Sequence, residues 1–508
     1  MKKLLYFLTH RSVVVAVSLL IQIAVLVLMI VKFSESFTQF YWACILVSFL
    51  AALGIISSRS DPAYKMMWLV LILPFPVFGG MIYLLFGGNR HPRWLKRAMQ
   101  SIDGKMTAAL KRDFKAETLA EAGGDAVSQA YYMERRAHCP VYTNSRAEYF
   151  PIGEECFARM LTELKTAKRY IFLEYFIIQE GAMWDSILEV LRVKARQGVD
   201  VRVMYDDMGC MFTLPKDYPE QLEQMGIRCC VFNRFIPVMS MLLNNRDHRK
   251  LCVIDGNVAF TGGINLADEY INARERYGHW KDSGILVEGD AAWSMAVMFL
   301  SMWDYAMGLE EDYDMFRPEM TQVPGASGYI QPYTDSPLDS ETVAQTVYLN
   351  MISKAERYIY ITTPYLILDA TTNTALCNAA KSGVDVRIIT PHIPDKRSVF
   401  HVTRAHYQPL LEAGVKIYEY TPGFIHAKNF VVDDQFATVG TVNLDFRSLF
   451  LHFENGVWMC NTSCILDIKQ DFLETLRVCE KIGLRTNRKL NILVQLYRSV
   501  LRMFAPLM

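Results

Sequence analysis

The sequence has no excess of charge of either sign, no paired-cysteine motif and no nucleotide fingerprint. Its 508 residues contain 53 Lys+Arg and 53 Asp+Glu, a balance that argues against a nucleic-acid binder held by bulk positive charge. None of its 11 cysteines forms a CxxC pair, so no disulfide framework or zinc ribbon is indicated. Gly262 and Gly263 are not part of a GxGxxG motif, which excludes a dinucleotide site there. Scattered thiols favour a reducing compartment and a catalytic part that faces the cytoplasm.

Long apolar runs are absent after residue 88 but dominate the chain before it. Three segments near residues 13–32, 38–57 and 66–87 are apolar enough to suggest membrane crossing, and Val13–Ile30 contains only Ser18 and Gln22 as polar residues. Prolines and glycines interrupt the third segment, which fits a kinked span or a re-entrant hairpin. We therefore expect residues 1–88 to form N-terminal transmembrane helices of a multi-pass protein. Sidedness and the full crossing of the third segment stay open, since basic residues flank both ends of the region.

The rest of the chain contains one unit used twice. AKRYIFLEYFI at 167–177 is echoed by AERYIYITTPYL at 355–366, and RQGVDVRVMYDD at 196–207 by KSGVDVRIITPH at 381–392. Each copy alternates a helical pattern with a buried-type strand, which predicts an α/β fold. We expect a charged linker resembling an exposed helix at 89–137 and domains at 138–318 and 319–483.

Two further segments have two interpretations each. Phe235–Leu243 (FIPVMSMLL) is an apolar insert in the first copy, and it fits either core packing or contact with acyl chains. Residues 484–508 form a basic amphipathic pattern. This pattern fits either a helix at an anionic membrane surface or one docked on the second domain.

The strongest signal is a motif that occurs once in each copy. His248, Lys250 and Asp255 are followed by Gly262 and Asn265 in the spacing HxKx4Dx6GxxN. The second copy repeats this spacing with His426, Lys428, Asp433, Gly440 and Asn443. Because a chance match is improbable once and far more so twice at equivalent places, we interpret both copies as functional.

The residue types in this motif suit phosphoryl transfer. Residues i and i+2 of a strand point to one face, so each HxK directs an imidazole and an ammonium into the same space. Two histidines can provide one nucleophile and one general acid near neutral pH. The lysines can bind phosphate as point charges, and the amides of Asn265 and Asn443 can donate to its oxygens. This mechanism requires no cofactor, and no metal site is expected among the remaining histidines.

These motifs resemble the phospholipase D superfamily and, within it, the bacterial cardiolipin synthases, over nearly the whole chain. The resemblance also rests on TGGINLADEY (261–270), GFIHAK (423–428) and NLDFRSLFLHFE (443–454). It implies an α/β fold of two tandem phospholipase D-like domains related by pseudo-two-fold symmetry, preceded by N-terminal transmembrane helices.

The resemblance also implies roles for particular residues. His248, Lys250, Asp255, His426, Lys428 and Asp433 are the motif residues of the catalytic site. His248 is implied to be the nucleophile and His426 the acid/base, although the residues alone treat them alike. Asp282 and Glu454 occupy the places of carboxylates that orient a catalytic histidine. Asp255 and Asp433 are implied to support the fold of the site without touching phosphorus.

The implied activity is transfer of a phosphatidyl group between two phosphatidylglycerols, giving cardiolipin and glycerol at a bacterial cell membrane. The expected partners are phosphatidylglycerol and anionic membrane lipids, without nucleic acid, and a homo-oligomer stays open. A hydrolytic phospholipase D or a transferase for another alcohol would share every motif residue. An inactive lipid-binding scaffold is disfavoured, because both copies keep every motif position.

Overall fold

In a computed structural model, the repeated part of the chain folds into two halves, each built on one large mixed sheet. The structure describes residues 38–58, 61–75, 93–111, 121–234, 245–319, 321–339, 341–484 and 492–507, with residues 20, 21, 23–25, 27, 28, 31, 32, 79, 80, 83 and 119. The predicted insert Phe235–Leu243, most of Val13–Ile30 and part of 66–87 lie outside the described residues.

The first half contains a seven-stranded sheet in the order β1-β9-β7-β6-β2-β3-β4. Its strands and the two short strands of this half are β1 (Ser145–Phe150), β2 (Tyr170–Tyr175), β3 (Asp200–Asp206), β4 (Arg228–Phe232), β5 (Arg246–Asp247), β6 (Lys250–Ile254), β7 (Val258–Gly262), β8 (His279–Lys281) and β9 (Gly284–Gly289). Strands β2, β3 and β4 run parallel, as expected for strands joined by helical crossovers.

The second half contains the main path β10-β17-β16-β15-β11-β12-β13-β18. Its strands are β10 (Tyr329–Asp335), β11 (Tyr358–Thr362), β12 (Asp385–Pro391), β13 (Lys416–Tyr420), β14 (Gly423–Ile425), β15 (Asn429–Val432), β16 (Phe436–Gly440), β17 (His452–Cys460) and β18 (Cys479–Ile482). From β10 to β13 this order repeats that of β1 to β4, so the internal sequence repeat corresponds to a repeated α/β topology.

The helices cover both faces of the sheets and provide the crossovers. In chain order they are α1 (Thr38–Ser57), α2 (Pro62–Ile72), α3 (Arg93–Leu110), α4 (Gly124–Arg136), α5 (Gly153–Leu164), α6 (Ala182–Arg196), α7 (Asp207–Cys210), α8 (Tyr218–Gln224), α9 (Asp290–Met307), α10 (Val343–Ser353), α11 (Ala370–Lys381), α12 (Arg397–Ala405), α13 (Tyr407–Ala413), α14 (Phe446–Phe450), α15 (Cys464–Leu476) and α16 (Ile492–Met503).

One hydrophobic core is shared by the two halves. Helix α9 contributes a nearly continuous run of buried side chains, including Trp293 and Phe299, to a cluster that also contains Val431 and Met459 of the second sheet. Each sheet has a second core on its other face. Because the central core takes side chains from both sheets, we expect neither half to be stable alone.

The segment 89–137, expected as an exposed linker, instead contributes to both halves. Helix α3 buries Ile102, Met106 and Leu110 in the central core. Helix α4 buries residues including Ala126 and Met133 in the outer core of the second half. The difference arises because apolar residues four apart form one helix face that can be buried. The high overall charge of the segment led to the expectation of an exposed helix.

The two ends of the chain meet the body differently. Leu501 and Ala505, in and just after α16, pack against an apolar cluster that contains Val402 and Phe446 of the second half. Helix α1 coincides with the second predicted span and leaves large apolar side chains such as Trp42 exposed. Within the described part of the chain, no helix combines the length and apolar character that crossing a membrane requires.

Candidate active site

The two motif histidines are placed by strands that each half adds to the other. Strand β5, just before His248, pairs in parallel with the start of β17 in the second half. Strand β14, just before His426, pairs in parallel with β8 in the first half. The amide of His248 donates to the carbonyl of Phe453 over 2.9 Å, and that of His426 to the carbonyl of Lys281 over 2.7 Å. Both histidines therefore stand at the junction of the halves, and both are buried.

Each histidine is held by a carboxylate from the opposite half. Nδ1 of His248 lies 2.9 Å from Oε1 and 3.0 Å from Oε2 of Glu454. Nδ1 of His426 lies 2.7 Å from Oδ2 of Asp282. The structure thus brings together four of the predicted residues as two crossed pairs. In each pair the carboxylate occupies Nδ1, so Nε2 is the ring nitrogen left for a substrate.

The electrostatics of the two pairs differ. Burial, with the charge of Lys250 next, lowers the pKa of His248 well below its usual value. Burial and Lys428 lower the pKa of His426 to about 4. Burial raises the pKa of Glu454 to about 8 against the charge of Lys250, so the carboxylate form that keeps the proton on Nδ1 of His248 depends on a charged Lys250. Burial opposes ionisation of Asp282 as well, but His426 is the main group that holds its pKa below the usual range. Both imidazoles are therefore neutral near pH 7 before an anionic substrate enters.

The motif lysines lie in the same buried region, where the cost of desolvation outweighs the charge of the nearby carboxylates. Burial lowers the pKa of Lys250 to about 7 and that of Lys428 to about 8, and the charge of Lys428 further lowers the pKa of Lys250. Each ammonium donates to the carbonyl of the histidine two residues earlier, over 2.6 Å for Lys250 and His248. An anion placed between the lysines would raise both pKa values, which is the electrostatic signature of a phosphate site.

The motif aspartates lie away from the histidines, and each connects two neighbouring strands of its own sheet. The carboxylate of Asp255 accepts the amides of Lys168, Arg169 and Tyr170 over 2.8, 2.8 and 2.9 Å. Asp433 does the same for residues 356–358 at the start of β11. Neither contacts a motif histidine or lysine. These contacts agree with the supporting role that the resemblance implied for Asp255 and Asp433, and that role stays a prediction.

The two asparagines are not equivalent. Oδ1 of Asn265 accepts the amide of Ile177 over 3.0 Å, and its Nδ2 donates to the hydroxyl of Tyr270 over 2.7 Å. Asn443 is also buried, and within the described residues its Oδ1 has no hydrogen-bond partner. Asn265 is thus engaged with the protein through both amide atoms, whereas the unpaired Oδ1 of Asn443 is an acceptor, so a contact of Asn443 with phosphate would have to come from its Nδ2.

The residue after the motif glycine differs between the halves, and in each half it lies against the carboxylate that holds a histidine. A Cβ atom on Gly263 would collide with Oδ1 of Asp282. The equivalent Thr441 instead donates from its hydroxyl to Oε2 of Glu454. The glycine therefore leaves room for the shorter carboxylate, and the threonine fixes the longer one.

Two groups near the site were missed in the sequence. Arg249 forms buried ion pairs with Glu174 over 2.5 Å and Asp247 over 3.1 Å, beneath the first motif strand. The ring of His452 lies 5.6 Å from that of His248, measured between centroids. The only sequence signal for His452 is its position two residues before Glu454, which a lone histidine does not make informative.

One trio of side chains has the atoms of a metal site. Ligand atoms of His248, His452 and Glu454 lie within 4.8 Å of one another. Arg447, Lys250, Arg246 and Lys396 all lower the pKa of His452 by their charge, after the larger effect of burial. A cation would be repelled by these groups, so the surroundings fit a resident metal poorly.

Two sheets of matching strand order that meet at one two-histidine site define a two-domain protein of the phospholipase D superfamily. The family profile described as "Cardiolipin synthase, PLD-like domain" matches residues 160–289 and 348–476. A second profile, "Phospholipase_D-nuclease N-terminal", matches residues 46–88. The chain belongs to the bacterial cardiolipin synthase family.

The individual comparisons agree with this assignment. Cardiolipin synthase of Alkalihalophilus pseudofirmus is 34% identical over 88% of this chain and 89% of its own length. Cardiolipin synthase of Geobacillus kaustophilus is 36% identical over 90% and 91%. A solved phosphatidylserine synthase of Haemophilus influenzae has the same fold, with a TM-score of 0.56 and 15% identity over 72% of this chain and 95% of that one.

Proposed function

We propose that this protein is a cardiolipin synthase that transfers a phosphatidyl group from one phosphatidylglycerol to another and releases glycerol. The observation that carries the proposal is the pair of buried histidines from separate halves, each held at Nδ1 by the carboxylate of the other half. This arrangement leaves two Nε2 atoms, one for attack on phosphorus and one for proton transfer.

In the first step His248 is the nucleophile. Its lowered pKa keeps the imidazole neutral, so the Nε2 lone pair can attack the phosphorus of the donor. A P–N bond forms, the P–O bond to the headgroup glycerol breaks, and the leaving oxygen takes a proton from His426. The negative phosphodiester favours protonation of His426 when it binds, and Asp282 stabilises the imidazolium. Lys250, Lys428 and Asn443 stabilise the charge on the phosphoryl oxygens.

In the second step the roles reverse at the same phosphorus. A hydroxyl of the second phosphatidylglycerol gives its proton to His426, and its oxygen attacks phosphorus. The P–N bond breaks, His248 is restored and cardiolipin leaves. No cofactor or metal takes part in this sequence of bond changes.

Burial of the site favours transfer over hydrolysis. Only 8% of the surface of His248 and 6% of that of His426 is exposed. Access of bulk water to the covalent intermediate is therefore restricted, and a lipid alcohol held at the site has the advantage of high effective concentration.

We also propose that the N-terminal hydrophobic region holds the enzyme at the bacterial cell membrane as a multi-pass anchor. The apolar runs of the sequence and the exposed apolar face of α1, with Leu46, Phe49 and Leu50 more than half exposed, support this proposal. Anchoring would present donor and acceptor lipids to one site.

The test is incubation of the purified full chain with phosphatidylglycerol as the only lipid, with separation of the products. The proposal expects cardiolipin and glycerol in equal amounts, and no product from a His248→Ala, His426→Ala variant. Phosphatidic acid as the dominant product would instead establish hydrolysis. Conversion by the double variant at the wild-type rate would refute the two-histidine site.

A further inference from the structure

The two sides of the active site differ, although the halves that form them repeat. Arg246, two residues before His248, lies in register with His452, two residues before Glu454. At the equivalent places, Phe424 lies in register with Trp280. The pseudo-two-fold relation therefore matches a pair of basic residues on one side with a pair of aromatic residues on the other.

A third equivalent position differs in the same direction. Arg447 follows Asn443 by four residues, and Glu269 follows Asn265 by four. Glu269 is neutralised by Arg274 and Arg276, each over 2.7 Å. The first half thus presents a paired acid where the second presents an arginine.

The side near His426 is lined by aromatic rings. The centroids of Tyr270, Trp280 and Phe424 lie 5.6, 5.5 and 5.8 Å from that of His426. The residues that differ between equivalent positions therefore form two surfaces. The apolar wall, near His426, contains Trp280 and Phe424. The basic wall, near His248, contains Arg246, Arg447 and His452. Such a division is not needed to build the histidine–carboxylate pair, which is present in both halves.

In the basic wall, the imidazole of His452 has unused hydrogen-bonding capacity. Both ring nitrogens of His452 are buried without a hydrogen-bond partner among the described residues, and its side chain is 11% exposed. Four cationic groups act on its pKa, with Arg447 the strongest of them after burial and Lys396 also included. Oε1 of Glu454, the carboxylate that also holds His248, lies 3.8 Å from Nδ1 of His452, which is beyond hydrogen-bond distance, so the buried imidazole can still take a further acceptor.

The acids near this wall are weak counter-charges. Nη1 of Arg246 lies 3.5 Å from Oδ1 of Asp206 and also donates to the carbonyl of Asn233 over 3.0 Å. Burial raises the pKa of Asp206 to about 7. It likewise raises the pKa of Asp445, whose carboxylate accepts the amide of Ser448. Asp395 is engaged by the hydroxyl of Tyr365 over 2.6 Å. Each of these three acids is thus already engaged with a group of the protein.

We propose that Arg246, Lys396, Arg447 and His452 form a second anion site, the acceptor-phosphate subsite, which binds the phosphodiester of the lipid that receives the phosphatidyl group. This inference rests on the proposed function. The product carries two phosphates joined by one glycerol, so the acceptor must bring its own phosphate close to the phosphorus under attack. The proximity of the rings of His452 and His248, 5.6 Å, places the subsite beside that phosphorus. Guanidinium groups match phosphate oxygens in geometry and charge.

The subsite gives a physical reason for acceptor choice. Water and glycerol carry no phosphate and would gain nothing from the basic wall. An acceptor phosphodiester would gain charge-assisted hydrogen bonds there, which hold its hydroxyl near His426 in the second step. The basic wall therefore favours an anionic lipid alcohol over neutral alcohols of similar size.

The experiment compares two acceptors for one donor. Phosphatidylglycerol in mixed micelles is the donor, and a neutral monoalkylglycerol in the same micelles competes with phosphatidylglycerol as acceptor. Lys396→Gln is the main variant because the side chain is exposed, and its matched control is Arg397→Gln at the adjacent exposed position. Arg447→Lys adds a conservative change in the buried part.

We expect Lys396→Gln and Arg447→Lys to reduce cardiolipin formation roughly tenfold or more, the loss of one charge-assisted hydrogen bond. Transfer to the neutral alcohol should change less than about threefold, because the donor and the chemistry are the same. Arg397→Gln should match the wild type for both acceptors. Equal losses with both acceptors would show that these residues serve the donor or the fold, and no loss would show that the wall binds no phosphate; either overturns the subsite.

Failure of the proposed function is separable from failure of the subsite. If the wild type makes no cardiolipin, the proposed function is wrong. The competition is then repeated with glycerol 3-phosphate and glycerol as the two acceptors. The subsite then predicts a preference for glycerol 3-phosphate that Lys396→Gln reduces and Arg397→Gln does not. Equal use of the two acceptors by the wild type would overturn it.

Discussion

Asp282→Asn should disable the histidine of the other half. The carboxylate lies 2.7 Å from Nδ1 of His426 and is fully buried, so no water can replace it. Breaking a buried charge-assisted pair costs about 3–5 kcal/mol, and this loss falls on the imidazolium form that His426 adopts in each step. At about 1.4 kcal/mol per factor of ten, kcat should fall roughly 10²- to 10⁴-fold. The assay is cardiolipin formation at saturating phosphatidylglycerol, with thermal unfolding as the check on folding.

A double-mutant cycle tests the crossing itself. The donor is a phosphatidyl p-nitrophenyl ester, whose leaving group requires no proton, and the readout is cardiolipin formation with phosphatidylglycerol as acceptor, so that the measured step is the second one, in which His426 is the base. In the His426→Ala background, Asp282→Asn should not lower the rate of cardiolipin formation any further. When His426 is present, the same substitution should lower that rate by the full factor. Independent, additive losses from the two substitutions would refute the reasoning, as would a folded Asp282→Asn variant with wild-type kcat.

Three further outcomes are expected. Because Lys250 and Lys428 lose their charge as the pH rises through about 7 and about 8, the KM for phosphatidylglycerol should rise at least about tenfold between pH 7 and 9. Steady-state kinetics would show this, and Lys250→Arg should flatten the rise. Gly263→Ala should displace Asp282 and lower kcat with little change in Tm; unchanged kcat would contradict the collision. Asp255→Ala should lower stability by about 3 kcal/mol through three lost amide hydrogen bonds, and an unaltered melting curve would show that these bonds contribute little.

The repeated sequence was enough to predict the α/β class, and the motif in it named the two histidines and two lysines that the structure brings to one buried region. Sequence repeats of this length imply repeated topology, and the structure shows the same strand order in both halves. Local spacing also predicted that His248 and Lys250 lie together, although His248 stands between β5 and β6 and only Lys250 belongs to a strand. Those parts of the account depend on short-range geometry that a sequence expresses directly.

Long-range pairing was not predictable in the same way. Glu454 is 206 residues from His248, and Asp282 is 144 residues from His426, so only the folded chain shows that the pairs cross. Asn265 was expected to donate to phosphate, but Tyr270 takes one of its amide hydrogens. A hydrogen-bond partner that depends on tertiary packing has no signature in residue spacing.

The basic wall shows a third limit of sequence patterns. Arg246 stands far in sequence from Arg447 and His452, and each of the three alone is an ordinary polar residue. Their relation appears only when β5 pairs with β17 and the equivalent positions of the first half can be compared. Differences between pseudo-equivalent positions then become more informative than the repeat itself.

Capture of the covalent intermediate tests the central claim most directly. The His426→Ala variant is mixed with the phosphatidyl p-nitrophenyl ester, quenched, digested and analysed by mass spectrometry under conditions that preserve phosphohistidine. The account predicts a phosphatidyl group on His248, which accumulates because the second step has no base, and no adduct in a His248→Ala variant. Nitrophenol release by the His426→Ala variant without an adduct on His248 would contradict this prediction.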